Sequence, residues 1–209
     1  MKCLWENVDL FESIVSEYCG SKYGVAVDSC SNAIFLSLKY IDQKYCIEVP
    51  KKTYISVPMQ VIHAGYKIKF KDIRWSGSYK LNPSPVIDSA QKFSEGIYEP
   101  STLQCLSFHG KKRLSIGRGG MILTDDKKAR DWLRAARYDG RSSIYYNQIN
   151  KTGVPSLGWH MYMTPEQAVR GIEQYYKTPK KNEDTGGDSS YSVDLSTLEC
   201  FSEGISCEK

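Results

Sequence analysis

The feature that most constrains this chain is a hydrophobic period that switches back and forth along residues 8–176. Apolar residues at helical spacing in VDLFESIVSEYCG (8–20) give way to the β-rich YGVAVDS (23–29). A second helical stretch, SNAIFLSLKYI (31–41), with Ser31 or Ser29 near its cap, precedes the short strand CIEVP (46–50). TYISVPMQVIHAG (53–65) predicts a helix that tolerates Pro58 in its first turn, and YKIKF (66–70) alternates as a strand. PVIDSA (85–90), LQCLSF (103–108) and GGMILTDD (119–126) read as buried strands. KKARDWLRAARYDG (127–140) predicts a helix closed by Gly140, and TPEQAVRGIEQYY (164–176) one opened by Thr164 and Pro165. Strands and helices in alternation imply an α/β chain with a mostly parallel central sheet flanked by helices. Ligands of such sheets gather at the carboxyl ends of strands, where Ser29, Asp88, Ser107 and Lys112 fall here.

Composition narrows the options. A chain of 209 residues suits one domain, here 1–177, with a polar tail, 178–209. The stretch TPKKNEDTGGDSS (178–190) is expected to be flexible, 191–209 has no strong period, and the tail as a whole is expected to be flexible or partly ordered. The net charge of +4, from 28 basic and 24 acidic residues, is too mild to demand nucleic acid. No apolar run is long enough to span a bilayer, and MKCLWENVDLFES has acids where a signal peptide needs an apolar core. The seven cysteines are widely spaced without a CxxC, so no zinc or other metal site is expected. Cys46 and Cys105 lie in apolar runs as small core residues would, which suits a reducing, cytoplasmic compartment. The sequon Asn150-Lys151-Thr152 is discounted as a chance match.

The chemistry concentrates in SFHGKKRLSIGRGGMILTDD (107–126). It is not a P-loop, because Gly110-Lys111 is followed by Lys112 and the position five residues before Gly110 is Cys105. Gly117-Arg118-Gly119-Gly120 has the wrong spacing for a dinucleotide fingerprint. A basic patch for nucleic acid would use Lys111, Lys112, Arg113 and Arg118, but no wider basic stripe accompanies them. From composition alone, a solvated basic turn is the simplest reading.

Four segments in order change that balance. VDLFESIVSEYCGSKYGVAVDSCSNAIFLSL, VPKKTYISVPMQVIHAGYKIKFKDI, VIDSAQKFSEG and SFHGKKRLSIGRGGMILTDD resemble the DegT/DnrJ/EryC1/StrS family of pyridoxal 5'-phosphate (PLP)-dependent sugar aminotransferases. A weaker fifth segment, LGWHMYMTPEQAVRGIEQ, resembles the family's "GYNYRMTEIQAAIGLAQ". The resemblance implies the large domain of a type I aminotransferase, shortened. It implies Lys112 as the amine that forms a Schiff base with PLP, and Asp88 as the carboxylate that keeps the pyridine nitrogen protonated. Gln91 matches the contact to the ring hydroxyl and Tyr54 the stacking aromatic. Cys30 and Ser31 match the phosphate-binding turn at a helix start, and Ser107 a further phosphate contact. The implied reaction moves an amino group, from a donor such as glutamate, to a nucleotide-linked keto-sugar. Lys111, Arg113 and Arg118 would draw in the sugar's diphosphate. A second subunit would complete the site, so a homodimer is expected.

The departures define an alternative. Cys30 replaces a glycine, which is costly if that turn needs a positive φ. Arg118 replaces the glutamate of "GEGG". His160 stands where the family's asparagine reaches the neighbouring subunit's phosphate, and Tyr162 replaces an arginine. Only WSGSYKLNPS separates KFKDI from PVIDSA, so the sheet should be shorter by a strand–helix unit. A catalytically inactive reduced homologue, acting as partner of a full-length aminotransferase, is the second reading.

Overall fold

The computed structural model describes residues 5–43, 45–141, 153–201 and 207. The sequon at 150–152 lies outside them. In chain order the elements are α1 (Glu6–Cys19), β1 (Tyr23–Val27), α2 (Cys30–Ile41), β2 (Cys46–Pro50), α3 (Ser56–His63), β3 (Lys67–Lys71), β4 (Tyr79–Lys80), β5 (Val86–Asp88), β6 (Leu103–Ser107), β7 (Gly120–Thr124), α4 (Lys127–Ala136) and α5 (Pro165–Lys177). Local chemistry sets the ends. Gly20 takes the left-handed conformation (φ 83°) that stops α1. Ser29 Oγ accepts from Asn32 N at 3.2 Å and opens α2. Thr164 and Gln167 cap one another at the start of α5, with Pro165 following.

Five strands form the main sheet in the order β1-β7-β6-β5-β4, and β2 pairs with β3 in a separate parallel pair. The α/β class stands, but the expectation of mostly parallel pairing needs correction. Within the five-stranded sheet β1–β7, β7–β6 and β5–β4 are antiparallel, and β5–β6 alone is parallel. The reason is connectivity. Residues 108–119 between β6 and β7 contain no crossover helix and fold back on themselves, with Phe108 N bonded to Gly119 O, so the two strands are antiparallel neighbours. Because β7 runs backwards between them, β1, β6 and β5 still point the same way. Their carboxyl ends share one edge, and β7 starts there.

Alternate strand residues feed two cores. Val25, Val27, Cys105 and Ile122 pack with α2 and α4 on one face, while Ala26, Leu106, Met121 and Leu123 pack with α1 and α5 on the other. Burial on both faces explains why these strands read as continuous apolar runs. The second core is keyed by Phe11 of α1, edge-on to Phe108 at 5.2 Å. Beside it a fully buried Arg137 pairs with Glu12 and donates to the Ala26 carbonyl.

The tail departs from its composition. Residues 178–201 of the tail follow a defined course over the domain. Gly77 N donates to Gly186 O at 2.9 Å, Asp188 pairs with Arg74 at 2.8 Å, and Leu195 and Phe201 join the first core. Cys207 is bonded to Cys46. Cys46 is therefore not a free core thiol, and since disulfides persist in oxidising surroundings, the cysteines no longer argue for a reducing compartment. Polar composition misled because the tail is held by hydrogen bonds to other segments and by a few widely spaced apolar residues. Among the described residues, no helix is long and apolar enough to cross a membrane.

Candidate active site

The shared carboxyl edge opens into a cavity of about 650 Å³. β1 delivers Ser29 and the start of α2, β5 delivers Asp88, and β6 delivers Ser107 and the turn carrying Lys112. That turn is tightly built. Phe108 N donates to Gly119 O at 2.9 Å, Lys112 N to His109 O at 2.8 Å, and Ile116 N to Phe108 O at 3.0 Å. Gly120 is required by a close approach: a Cβ there would lie 2.5 Å from the Cys30 nitrogen. The start of β7 thus packs directly against the first turn of α2.

Asp88 is the electrostatic centre. It is 5% exposed, and its Oδ2 accepts from the Tyr79 hydroxyl at 2.7 Å. Its Oδ1 accepts from Ala90 N at 2.9 Å and from the Cys30 thiol at 3.9 Å. The Tyr79 oxygen also meets Thr53 Oγ1, and since the tyrosine proton is given to Asp88, Thr53 is the donor there. Every hydrogen-bond donor to this carboxylate is neutral, and it forms no ion pair among the described residues. Burial pushes its pKa above the ordinary carboxylate value, while Tyr79, Ala90, Lys112 and Cys30 pull the other way. Burial likewise raises the Cys30 and Tyr79 acids well above their usual values, so both serve as neutral donors.

Lys112 lines the same cavity. Desolvation lowers its pKa, opposed by Cys30 and Asp88, and its ammonium makes neither hydrogen bond nor ion pair among the described residues. An amine half-withdrawn from water and left unpaired spends more time deprotonated, the form that attacks a carbonyl.

Six further expected residues, Gln91, Tyr54, Cys30, Ser31 and Ser107 with Asp88, share this cavity with Lys112. Tyr54 precedes α3, since that helix begins at Ser56 rather than Thr53, and it is 58% exposed on the wall rather than packed in a core. Cys30 is the first residue of α2 and is not among the residues with positive φ, so the glycine replacement carries no backbone strain. Arg118 pairs with Asp28 at 2.8 Å, which neutralises the charge reversal at that position. His160 is not on the cavity wall. Its Nδ1 lies 3.2 Å from Asp139, and its ring packs on Tyr162.

Sequence reasoning missed Tyr79, Trp75, Thr185 and Tyr191. Tyr79 carried a signal, since in SYKL buried Tyr79 and Leu81 flank exposed Lys80 as in a strand. Within the short WSGSYKLNPS segment, the two-residue β4 pairs Tyr79 directly opposite Asp88. Tyr191 and Thr185 had none, lying in polar sequence far from the other site residues.

The sequence model of the DegT/DnrJ/EryC1/StrS aminotransferase family matches residues 3–98 and 89–185. The chain belongs to this family. Among curated relatives it is 25% identical over 217 residues to the Bacillus subtilis spore coat polysaccharide biosynthesis protein SpsC, covering 80% of this chain and 56% of that one. It is 21% identical over 218 residues to the Campylobacter jejuni UDP-4-amino-4,6-dideoxy-N-acetyl-beta-L-altrosamine transaminase, covering 82% of this chain and 57% of that one. The fold is that of Helicobacter pylori PseC, an aminotransferase involved in the biosynthesis of pseudoaminic acid. That superposition has a TM-score of 0.65 and 16% identity, and covers 82% of this chain and 57% of PseC. The chain thus spans a little over half the length of the relatives it matches.

The cavity fits the cofactor implied by the family. A buried carboxylate supplied only with neutral donors lacks the cation that a protonated pyridine nitrogen would provide. An unpaired amine faces the same space. The first-turn N–H groups of Cys30 and Ser31 are open, because the Ser29 side chain occupies Asn32 N instead.

Proposed function

We propose that this chain is a sugar aminotransferase that binds PLP in the 650 Å³ cavity through Lys112. The observation that carries the reading is the convergence on one cavity of an unpaired lysine, a buried carboxylate without an ion pair, and an open helix N-terminus. Bound there, PLP supplies an electron sink for labilising bonds at an amino carbon.

The chain's own groups divide the remaining work. Asp88 holds the positive charge of the ring nitrogen, with Tyr79 and the Ala90 N–H fixing its two oxygens. The start of α2, with Ser107, receives the phosphate. Tyr54 offers a ring face. Lys112 binds the cofactor and, once released, would shuttle a proton on its Nζ between the donor's carbon and the cofactor's aldehyde-derived carbon. Its lowered pKa suits an amine that must both accept and return protons. The amino donor is glutamate and the acceptor a nucleotide-linked keto-sugar. The active unit is a homodimer in which His160 faces the neighbouring subunit's cofactor phosphate.

The test is spectroscopic. Protein titrated with PLP should gain the visible band of lysine-bound cofactor. Lys112→Ala should abolish the band and Lys111→Ala should retain it. A band that persists in Lys112→Ala, or its absence from the native protein, refutes the assignment.

A further inference from the structure

Residues 181–194 form a strap that is held firmly at its two stems. At one stem Lys180 O accepts from Glu95 N at 3.2 Å and from the Tyr18 hydroxyl at 2.6 Å. At the other, Leu195 N donates to Lys51 O at 2.8 Å and the Leu195 side chain is buried in the first core. Between the stems, Thr185, Ser190 and Tyr191 line the active-site cavity. Thr185 N donates to Gln91 O at 2.8 Å, Gly77 N donates to Gly186 O at 2.9 Å, and Asp188 N donates to Trp75 O at 3.1 Å. The strap thus bridges Trp75 and Gln91, which themselves border the cavity.

Its seat is shaped to receive it. A Cβ on Gly77, which sits at φ 67°, would lie 2.4 Å from Asp184 Cγ, and a Cβ on Gly187 would lie 2.4 Å from the Trp75 carbonyl oxygen. Yet little apolar burial holds the strap down. Of residues 181–194 only Gly187 and Asp188 are buried, and none belongs to either core. Tyr191 adds a loose ring contact with Trp75, with centroids 6.0 Å apart. The Asp188–Arg74 pair at 2.8 Å has its arginine largely in water, which leaves it weak. A segment closed by a few polar bonds, between stems tied to the packed domain, opens locally at far lower cost than the domain unfolds.

We propose that residues 184–191 are a lid on the cavity. They lift off residues 74–77 and Gln91 to admit ligands, and settle back to close that wall. The proposal rests on the reading of the cavity as the PLP site, but the opening itself is a property of the unliganded chain. Gly77 and Gly187, which seat the lid, are not on the cavity wall. The lid can therefore be loosened without altering a residue that faces the ligand.

Two measurements on the full chain test it. The first is native-state hydrogen exchange without ligand, read by NMR. The amides of Gly77, Thr185 and Asp188, bonded across the seat, should share one protection factor, about 100-fold or more below that of the β6 amides. The second is the rate of PLP association by stopped-flow absorbance. Gly187→Ala forces a methyl against the Trp75 carbonyl and should raise the open population about tenfold. Exchange of the three amides and PLP association should then speed up by the same factor, with the β6 amides unchanged. Asp188→Asn, which removes the ion pair without adding atoms, should move both rates the same way by a smaller factor, and it decides the matter if Gly187→Ala does not fold. Strap amides that exchange only together with β6 overturn the lid. So does faster exchange with unchanged PLP association, and faster PLP dissociation alone shows a fixed wall instead. If native protein gains no visible band with PLP, the cavity reading fails, while the exchange data still decide whether the segment opens.

Discussion

Tyr79→Phe removes one hydroxyl and keeps the ring, so it isolates the hydrogen bond that holds Asp88. Two effects should appear. The buried Thr53 hydroxyl loses its acceptor, at about 1–3 kcal/mol regardless of pH. The second effect depends on Asp88's charge. A hydrogen bond to an ionised group contributes about 1.5–3 kcal/mol and one between neutral groups about 0.5–1.5. The variant should therefore lose about 1–1.5 kcal/mol more where Asp88 is ionised than where it is protonated. The sign follows from linkage. Burial raises the Asp88 pKa in the folded state, so the folded protein binds this proton more readily than the unfolded chain. That contribution favours folding at low pH and is lost as pH rises from the ordinary carboxylate value through the raised folded one. Without Tyr79's hydroxyl the folded value rises further, and the loss with pH deepens. Denaturant unfolding followed by fluorescence of the four tryptophans, at pH 4 and pH 8, measures the difference. Repeating it in an Asp88→Asn background should abolish the pH-dependent part. An identical destabilisation at both pH values, or a pH-dependent part that survives in Asp88→Asn, refutes the claim that Tyr79 supports a buried anion.

Two other perturbations probe the frame. Gly120→Ala should displace the start of α2 and weaken PLP binding at least tenfold in a titration, while Gly110→Ala, with open space around its Cβ, should leave affinity unchanged. The Cys46–Cys207 bond closes a separation of 161 residues, so chain entropy gives it up to about 5 kcal/mol. Dithiothreitol should lower the melting temperature of native protein to that of Cys207→Ser and leave Cys207→Ser unmoved; no shift on reduction would show that the bond does not constrain the chain.

Much of the frame was legible because it is local. Period changes, the Ser29 and Thr164 caps and the Gly20 stop depend on residues within a few positions of one another, and each element except β4 appeared near its predicted span. Ordered motifs named Lys112, Asp88, Gln91 and Tyr54, and the structure brings these four to one cavity. Tyr79 and Tyr191 were not named, because their meaning lies in partners: Asp88 across a strand pair, and Gln91 a hundred residues away in sequence.

Sequence alone determined most of the segments that become strands and helices, β4 excepted, and which residues stand at the ends of the predicted strands, since these follow from side-chain spacing and short-range hydrogen bonds. Only the tertiary structure decided that β7 runs against its neighbours, that the polar tail returns across the cavity, and that Cys46 meets Cys207. Those outcomes depend on which distant surfaces and unpaired donors find one another, and no local pattern encodes that pairing.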